Sequence, residues 1–215
     1  MNLNTKLFYR IVMVTGFALT ILLGLNLSNA SGNKSTDSLL QDFIASQYES
    51  LQPLENTKPA YDIYHRAYIG YLNLMEEGKQ INNNKLTIVD FRLSSNKKRM
   101  WVIDLSNNKV LYFRLVAHGK NTGDEYARQF SNIKNSNQSS LGFYLTAENY
   151  YGKHGLSLRL DGMEPGFNDK ARSRAIVMHS AAYVSKDFTK KVGRLGRSFG
   201  CPAIALKDHK EIIKG

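Results

Sequence analysis

Cys201 is the single cysteine of this 215-residue chain, and its neighbours suit a reactive thiol. It lies in the run RSFGCPA over residues 197–203, between Gly200 and Pro202. These flanking residues disfavour an inert position inside a core strand, and the missing side chain of Gly200 lets a substrate approach the sulfur. A free thiol, with a pKa of about 8.5, is mostly protonated at neutral pH and needs a nearby base. The sequence therefore favours covalent catalysis by an activated Cys201.

His179 is the strongest candidate for that base. It closes the apolar run of residues 175–178, which places it at the end of a predicted strand, where a sheet would hold the imidazole in position. His118, at the end of another strand-like run, is the second candidate. His154 lies in a glycine-bounded turn, for which a loop role is favoured and substrate contact is the alternative. The remaining histidines are interpreted as helical or solvated: His65 and His209.

No metal and no cofactor are predicted. The histidine spacings offer no close pair of ligands, and no glycine-rich phosphate loop follows a strand. Covalent catalysis by a thiolate requires neither group. Consecutive backbone amides at the turn of Gly200 and Cys201 would stabilise the oxyanion that such a reaction forms.

The amino terminus, residues 1–30, has the order of a secretory signal peptide. Lys6 and Arg10 precede an apolar run over residues 11–27, and Ser28 and Ala30 supply the small residues of a cleavage site. We expect cleavage after Ala30 and export to the periplasm or cell envelope. The alternative is a retained membrane anchor, because an apolar run of about 17 residues reaches the lower limit for spanning a bilayer.

The chain is strongly basic, with a formal net charge of +11. Cleavage would lower this charge to +9, because Lys6 and Arg10 would leave and no acidic residue would. A basic exported protein suits a polyanionic surface such as the bacterial wall. The basic residues are scattered and belong to no recognisable nucleic-acid module, so we expect no nucleic-acid partner.

The elements that must position these residues form an α+β pattern. A helical extension is predicted over residues 31–80 and a mainly β domain over residues 81–215, with a long polar loop at 119–137. The predicted helices cover residues 35–56, 59–77, 181–192 and 207–214. The predicted strands cover residues 86–93, 100–105, 110–117, 141–146, 156–161 and 174–179, followed by a short apolar run at 203–206.

The order of His179 and Ser180, followed further along the chain by the run SFGC ending at Cys201, resembles the catalytic signature of the L,D-transpeptidases. These are the YkuD-fold enzymes that remodel bacterial peptidoglycan. The run 196–203 is similar to the branch described as murein L,D-transpeptidase catalytic-domain proteins. A weaker similarity covers residues 139–144, which resemble the segment before the active site. The resemblance implies a YkuD-like β-sandwich and no cofactor.

The resemblance also implies roles for individual residues. Cys201 would attack a peptide carbonyl of a peptidoglycan tetrapeptide stem, release D-alanine and pass the acyl group to an amine. His179 would be the general base, and the amides of Gly200 and Cys201 would bind the oxyanion. Ser180 matches a position that helps to hold the imidazole tautomer in some members.

Two departures from the family pattern bear on substrate binding. Phe199 replaces a histidine that is common before the glycine, and Pro202 with Ala203 replaces a segment that contains arginine. Recognition of a substrate carboxylate is therefore expected to move to Arg194 or Arg197, with a solvated basic loop as the alternative. The residues assigned to substrate binding are Ser198, Arg197, Arg194, His118, Phe199 and Tyr183.

Two alternatives remain open at this point. Hydrolysis of the thioester would make the protein an L,D-carboxypeptidase, and an inert Cys201 would make it a noncatalytic wall-binding protein. Papain-like and NlpC-type peptidases place the cysteine before the histidine, and sortases want an arginine soon after the cysteine. The order of His179 before Cys201 disfavours the former, and the lack of an arginine soon after Cys201 disfavours the sortases, which share this order.

Overall fold

The computed structural model describes residues 35–81 and 84–214. The predicted signal peptide, residues 1–30, lies outside the described residues. Helix α1 spans Thr36–Ser50 and is capped by Ser35, whose side chain accepts a hydrogen bond from the Ser38 amide. Helix α2 spans Tyr61–Glu76. Both helices lie inside ranges that were predicted to be helical. Across residues 35–81 and 84–214, no helix is long and apolar enough to cross a membrane.

A three-stranded antiparallel sheet follows α2, with the order β1-β2-β3. Its strands are β1 (Lys85–Val89), β2 (Met100–Asp104) and β3 (Lys109–Arg114). The two helices pack on this sheet through a buried cluster in which Tyr64 and Tyr68 of α2 meet Trp101 and Ile103 of β2. Tyr64 and Tyr68 therefore serve core packing, because aromatic rings bury large apolar areas.

The second sheet has four strands in the order β4-β5-β6-β7. They are β4 (Tyr144–Gly152), β5 (Gly155–Gly162), β6 (Val177–Ser180) and β7 (Ala203–Ile204). Antiparallel pairing joins β4 to β5 and β5 to β6, whereas β6 and β7 are parallel. The chain between β6 and β7 leaves the sheet, forms helix α3 (Lys186–Val192) and returns; helix α4 (His209–Lys214) follows β7.

One apolar cluster connects the two sheets. Met100 of β2 belongs to the same buried cluster as Leu158 of β5, Met178 of β6, Ile204 of β7 and Ile213 of α4. All five side chains are less than a tenth exposed. The α+β fold expected from the sequence is confirmed, as two sheets with a few short helices.

Four predicted strands have different limits in the structure, by three residues or more. β1 ends at Val89 and not at residue 93, and β3 ends at Arg114 and not at residue 117. The strand predicted over residues 141–146 begins at Tyr144 and continues to Gly152. The strand predicted over residues 174–179 begins only at Val177. Ala175 has a φ of 55°, in the left-handed region, so the chain turns there and cannot yet be extended.

The parallel pairing of β6 and β7 positions the candidate site. His179 is the register partner of Ala203, the first residue of β7. Cys201 lies two residues before Ala203 and is therefore close to His179 along the chain that leads into β7. Isolated bridges from Ala117 to Ala203 and from Gly119 to Ser198 fasten the start of the long loop to the same turn. The fold thus collects the carboxyl end of β6, the entry to β7 and the long loop at one edge.

Candidate active site

His179 is buried on β6, with 2% of its surface exposed, and its imidazole has a defined tautomer. Nδ1 lies 3.0 Å from the Ser180 carbonyl oxygen, so Nδ1 carries the proton and donates to that carbonyl. Nε2 is then left with the lone pair. Burial holds the pKa of His179 below its usual value, although the Ser180 carbonyl favours the charged form. The ring is therefore neutral near pH 7 and competent to accept a proton.

Cys201 is partly exposed, and its sulfur rests against the turn that precedes β6. The thiol donates towards the Ala175 carbonyl oxygen at 3.7 Å. Burial raises the pKa of Cys201, while the Val177 amide and the charges of Arg174 and Lys153 act in the opposite direction. The resting sulfur is consequently a protonated thiol. No hydrogen bond joins it to His179 in the part of the chain that the structure describes.

Ser198 fixes the turn that carries Cys201. Its hydroxyl donates to the Cys201 carbonyl at 2.6 Å and accepts from the Gly200 amide at 3.0 Å. Gly200 has a φ of 124°, and a Cβ there would lie 2.8 Å from the Gln138 carbonyl oxygen, so glycine is required. The Gly200 amide, expected as an oxyanion donor, is thus already bonded. The Cys201 amide bonds to no other described residue and remains available.

Arg174 is a site residue that the sequence reasoning missed. Its guanidinium donates to the Ser131 carbonyl at 2.7 Å and to the Gln138 carbonyl at 2.6 Å, and also bonds the hydroxyls of Ser136 and Ser140. One side chain therefore holds the end of the long polar loop against the turn before β6. The same positive charge partly offsets the rise that burial causes in the pKa of the Cys201 thiol. No local sequence pattern marks an arginine in the turn before a strand for this task.

His154 was interpreted as a loop residue, and the structure brings it to His179. It lies in the turn between β4 and β5, and its ring stacks on His179 with centroids 4.2 Å apart and an interplanar angle of 19°. The glycine-bounded turn was the available signal. Which residue the turn would lie against depends on the pairing of β5 with β6, which no local pattern reveals.

His118 is buried and fully hydrogen-bonded. Its Nδ1 accepts from Arg99 Nη2 at 2.8 Å, and its Nε2 donates to the Gly123 carbonyl at 3.2 Å. Burial and the positive charge of Arg99 lower the pKa of His118 to about 4. Both ring nitrogens are thus engaged inside the protein, so the predicted role of His118 in substrate binding has no free nitrogen to draw on in this conformation.

Both arginines predicted to bind a carboxylate face Asp124 of the long loop. Arg197 Nη1 lies 2.7 Å from Asp124 Oδ1 and also donates to the carbonyls of Lys120 and Gly123. Arg194 Nε lies 3.6 Å from the same Asp124 oxygen. Binding of a substrate carboxylate by either arginine would exchange Asp124 for the ligand.

Phe199 and Tyr183 flank the turn in different ways. Phe199 is 65% exposed, and the ammonium of Lys120 lies 4.7 Å from the centre of its ring. Tyr183 is partly buried, packs edge-on to Phe188, and lies where a Cβ at Gly196 would be. Burial and the nearby Cys201 raise the pKa of Tyr183 to about 12. Phe199 therefore offers an apolar surface to an incoming ligand, and Tyr183 supports the turn.

Comparison with known proteins identifies one family. A family model described as L,D-transpeptidase catalytic domain matches residues 55–215, a span that contains α2, both sheets, His179 and Cys201. Searches of curated proteins and of solved structures found no match. Over the described residues, no group of three or more His, Cys, Asp or Glu side chains could hold a metal ion.

Proposed function

Because the chain belongs to the L,D-transpeptidase catalytic domain family, we propose that it is an exported enzyme that remodels peptidoglycan with Cys201 as nucleophile and His179 as general base. The family acts on peptidoglycan stem peptides. The donor is a tetrapeptide stem, the first product is D-alanine, and the acceptor is an amine of another stem. The net positive charge of the chain suits this acidic polymer.

The observation that carries the proposal is the tautomer of His179 beside the turn of Cys201. Since Nδ1 is occupied by the Ser180 carbonyl, Nε2 is the nitrogen that can take a proton. Burial keeps the imidazole neutral, as a base must be. The parallel register puts the entry to β7 next to this ring. Ser180 therefore acts through its carbonyl oxygen and not through its hydroxyl.

Acylation begins when the Cys201 thiol exchanges the Ala175 carbonyl for His179 Nε2 as its hydrogen-bond acceptor. Long or misaligned hydrogen bonds are common in free enzymes and tighten when substrate binds. The sulfur then attacks the peptide carbonyl carbon, a C–S bond forms, and the thiol proton passes to Nε2. The raised pKa of Cys201 makes this transfer necessary, because little thiolate exists beforehand.

The oxyanion and the leaving group complete the first half-reaction. The free Cys201 amide donates a hydrogen bond to the oxyanion. The Gly200 amide already donates to the Ser198 hydroxyl, so the role of Gly200 is to let the substrate approach closely. Collapse of the intermediate breaks the C–N bond. The leaving amine of D-alanine receives the proton from His179, and a thioester remains on Cys201.

The second half-reaction transfers the acyl group. An acceptor amine attacks the thioester, gives its proton to neutral His179, and the C–S bond breaks to restore the Cys201 thiol. One peptide bond is broken and one is formed, so the cycle needs no external energy source. Exposed Phe199 supports the peptide, and Arg197 or Arg194 takes a stem carboxylate after releasing Asp124.

Incubation with a disaccharide tetrapeptide followed by mass spectrometry tests the proposal. We expect free D-alanine and a cross-linked dimer from the wild type, and neither product from Cys201→Ala. His65→Gln is a matched control, since His65 lies on α2 away from the site, and it should behave as the wild type. D-alanine with no dimer would identify thioester hydrolysis, the carboxypeptidase outcome. A folded wild type that forms neither product would contradict the proposed enzyme.

A further inference from the structure

We propose that His154 is a positioning residue of this active site and that the turn between β4 and β5 acts as a cover which holds the imidazole of His179 in its working orientation. The inference deepens the proposed function and rests on it, because it assumes that His179 is the base. The family match assigns no role to this turn, and the sequence pattern indicated only a loop, with substrate contact as the alternative.

The contact is a face-to-face stack of two imidazole rings. The centroids are 4.2 Å apart and the planes differ by 19°, which is close enough for direct ring contact. His179 is 2% exposed, whereas His154 belongs to an exposed turn. One face of His154 therefore covers the buried ring and the other face meets solvent.

The sheet register explains why the turn lies over His179. Gly152 pairs with Gly155, so only Lys153 and His154 form the tip of the hairpin. Gly155 has a φ of 75°, a conformation that glycine adopts without strain and that tightens this turn. Ser157, shortly after the turn, is the register partner of His179. The hairpin tip is thus placed beside the base by backbone pairing.

The stack supplies a restraint that the hydrogen bond to Ser180 lacks. A single bond at Nδ1 fixes one edge of the His179 ring but allows the plane to tilt about that edge. A flat partner against the face of the ring opposes this tilt and keeps Nε2 aimed in one direction. Catalytic groups must hold such orientation closely, because small displacements cost large factors in rate.

The cover also acts on the charge of His179. His154 and Lys153 on the hairpin tip both lower its pKa, because a second positive charge nearby disfavours the imidazolium. The residues that pair with His179 from β5 and β7 are Ser157 and Ala203, which carry no charge. Helix α4 also packs against β6 and carries His209, Lys210, Glu211 and Lys214, but the charges that lower the pKa of His179 are those of His154 and Lys153. The hairpin is therefore the local source of positive charge.

Three variants separate the flat ring from its charge. His154→Ala removes both, His154→Phe keeps a flat ring without a proton, and His65→Phe is the matched control on α2. We expect His154→Ala to lower kcat about tenfold with KM within about twofold, a fraction of the roughly 10²- to 10⁴-fold effect of general acid–base catalysis. His154→Phe should restore kcat to within about twofold, and His65→Phe should change neither constant.

The inference stands if alanine loses kcat and phenylalanine restores it. It falls if His154→Ala keeps the wild-type kcat, or if His154→Phe is as slow as His154→Ala. Circular dichroism establishes that each variant is folded. Should His154→Ala fail to fold, His154→Leu takes its place, because leucine fills the volume without offering a flat ring.

A readout without turnover separates this inference from the proposed function. NMR titration of the His179 ring should give a higher pKa in both His154 variants than in the wild type, and the acidic limb of the kcat/KM profile should move to higher pH with it. If the wild type processes no wall peptide, the proposed function fails and the titration alone decides. An upward shift in His154→Ala then supports the contact, and an unchanged titration overturns it.

Discussion

His118 and His179 resemble each other in almost every property except the use of their second ring nitrogen. Their exposed fractions are 1% and 2%, and burial lowers the pKa of both. Both ring nitrogens of His118 form hydrogen bonds, Nδ1 with Arg99 and Nε2 with the Gly123 carbonyl, whereas His179 forms one only through Nδ1, with the Ser180 carbonyl. A buried histidine with both nitrogens bonded stabilises the fold; one with a nitrogen to spare is equipped for chemistry.

The surroundings of the two rings follow the same division. His118 faces Arg99, a fully buried guanidinium that also binds the carbonyls of Val116 and Leu93, so the pair ties the sheet to the long loop. His179 faces His154, an exposed side chain on a hairpin tip. The surroundings of His118 are fully buried, whereas one side of the His179 site is open to solvent through His154.

The largest expected effect is the loss of chemistry at His179. His179→Gln keeps a donor for the Ser180 carbonyl but provides no base, so kcat should fall about 10³-fold while the melting temperature changes little. Turnover of a disaccharide tetrapeptide and thermal melting measure the two quantities. Near-normal turnover in His179→Gln, together with loss of activity in His118→Leu, would reverse the assignment of the two histidines.

The next effect is a pH-dependent loss of stability through His118. Its pKa is about 4 in the folded protein and about 6.5 when unfolded, so the unfolded chain binds the proton more readily. The contribution of neutral His118 is fully present above pH 6.5 and is lost as the pH falls to about 4, a change on the order of 3 kcal/mol.

Urea unfolding at pH 7 and at pH 4.5 tests this linkage. The wild type should lose more stability on acidification than His118→Leu, because leucine has no proton to bind. Equal losses in the two proteins would show that protonation of His118 does not contribute to the acid destabilisation of the fold.

A smaller effect is the stability cost of His118→Leu at neutral pH. In this variant Arg99 Nη2 still donates to the Val116 carbonyl, and the Gly123 carbonyl still accepts from Arg197, so neither former partner of His118 loses all its hydrogen bonds. We expect a loss of about 1 to 2 kcal/mol in the free energy of unfolding and less than a tenfold loss of kcat/KM. Denaturant midpoints and steady-state kinetics on the folded protein provide the check.

The smallest expected effect concerns Arg197, which shares the Gly123 carbonyl with His118 as a hydrogen-bond acceptor. Arg197 and His118 both donate to the Gly123 carbonyl, but the ion pair of Arg197 is with Asp124, whose side chain is 79% exposed. Arg197→Gln should therefore cost only about 0.5 kcal/mol in stability. If Arg197 binds a stem carboxylate, KM should rise several-fold with kcat unchanged. A stability loss as large as that of His118→Leu would mean that the surface arginine, not the buried histidine, holds the loop.

The sequence reasoning succeeded where the signal was local. A strand-end histidine, a glycine turn and the helical spacing of residues 36–50 are visible in neighbouring residues. The full length of β4 was not predicted, because much of its outer half is exposed and carries no alternating apolar pattern. The role of Arg174 and the contact of His154 with His179 were missed because the partners lie far along the chain, at residues 131–140 and at His179.

The parallel pairing of β6 and β7 has a consequence for protein engineering. Parallel neighbours require a chain excursion between them, and here residues 181–202 form it, with α3, Tyr183, Arg194 and Phe199 on the way. His179, the proposed base, precedes this excursion, and Cys201, the proposed nucleophile, lies at its end. Val184 and Leu195 of the excursion are buried against Ala117 and Ala203 and must be kept, whereas α3 has no buried residue. Grafting a different segment in place of α3 is therefore expected to change the surface of the excursion while His179 and Cys201 keep their places.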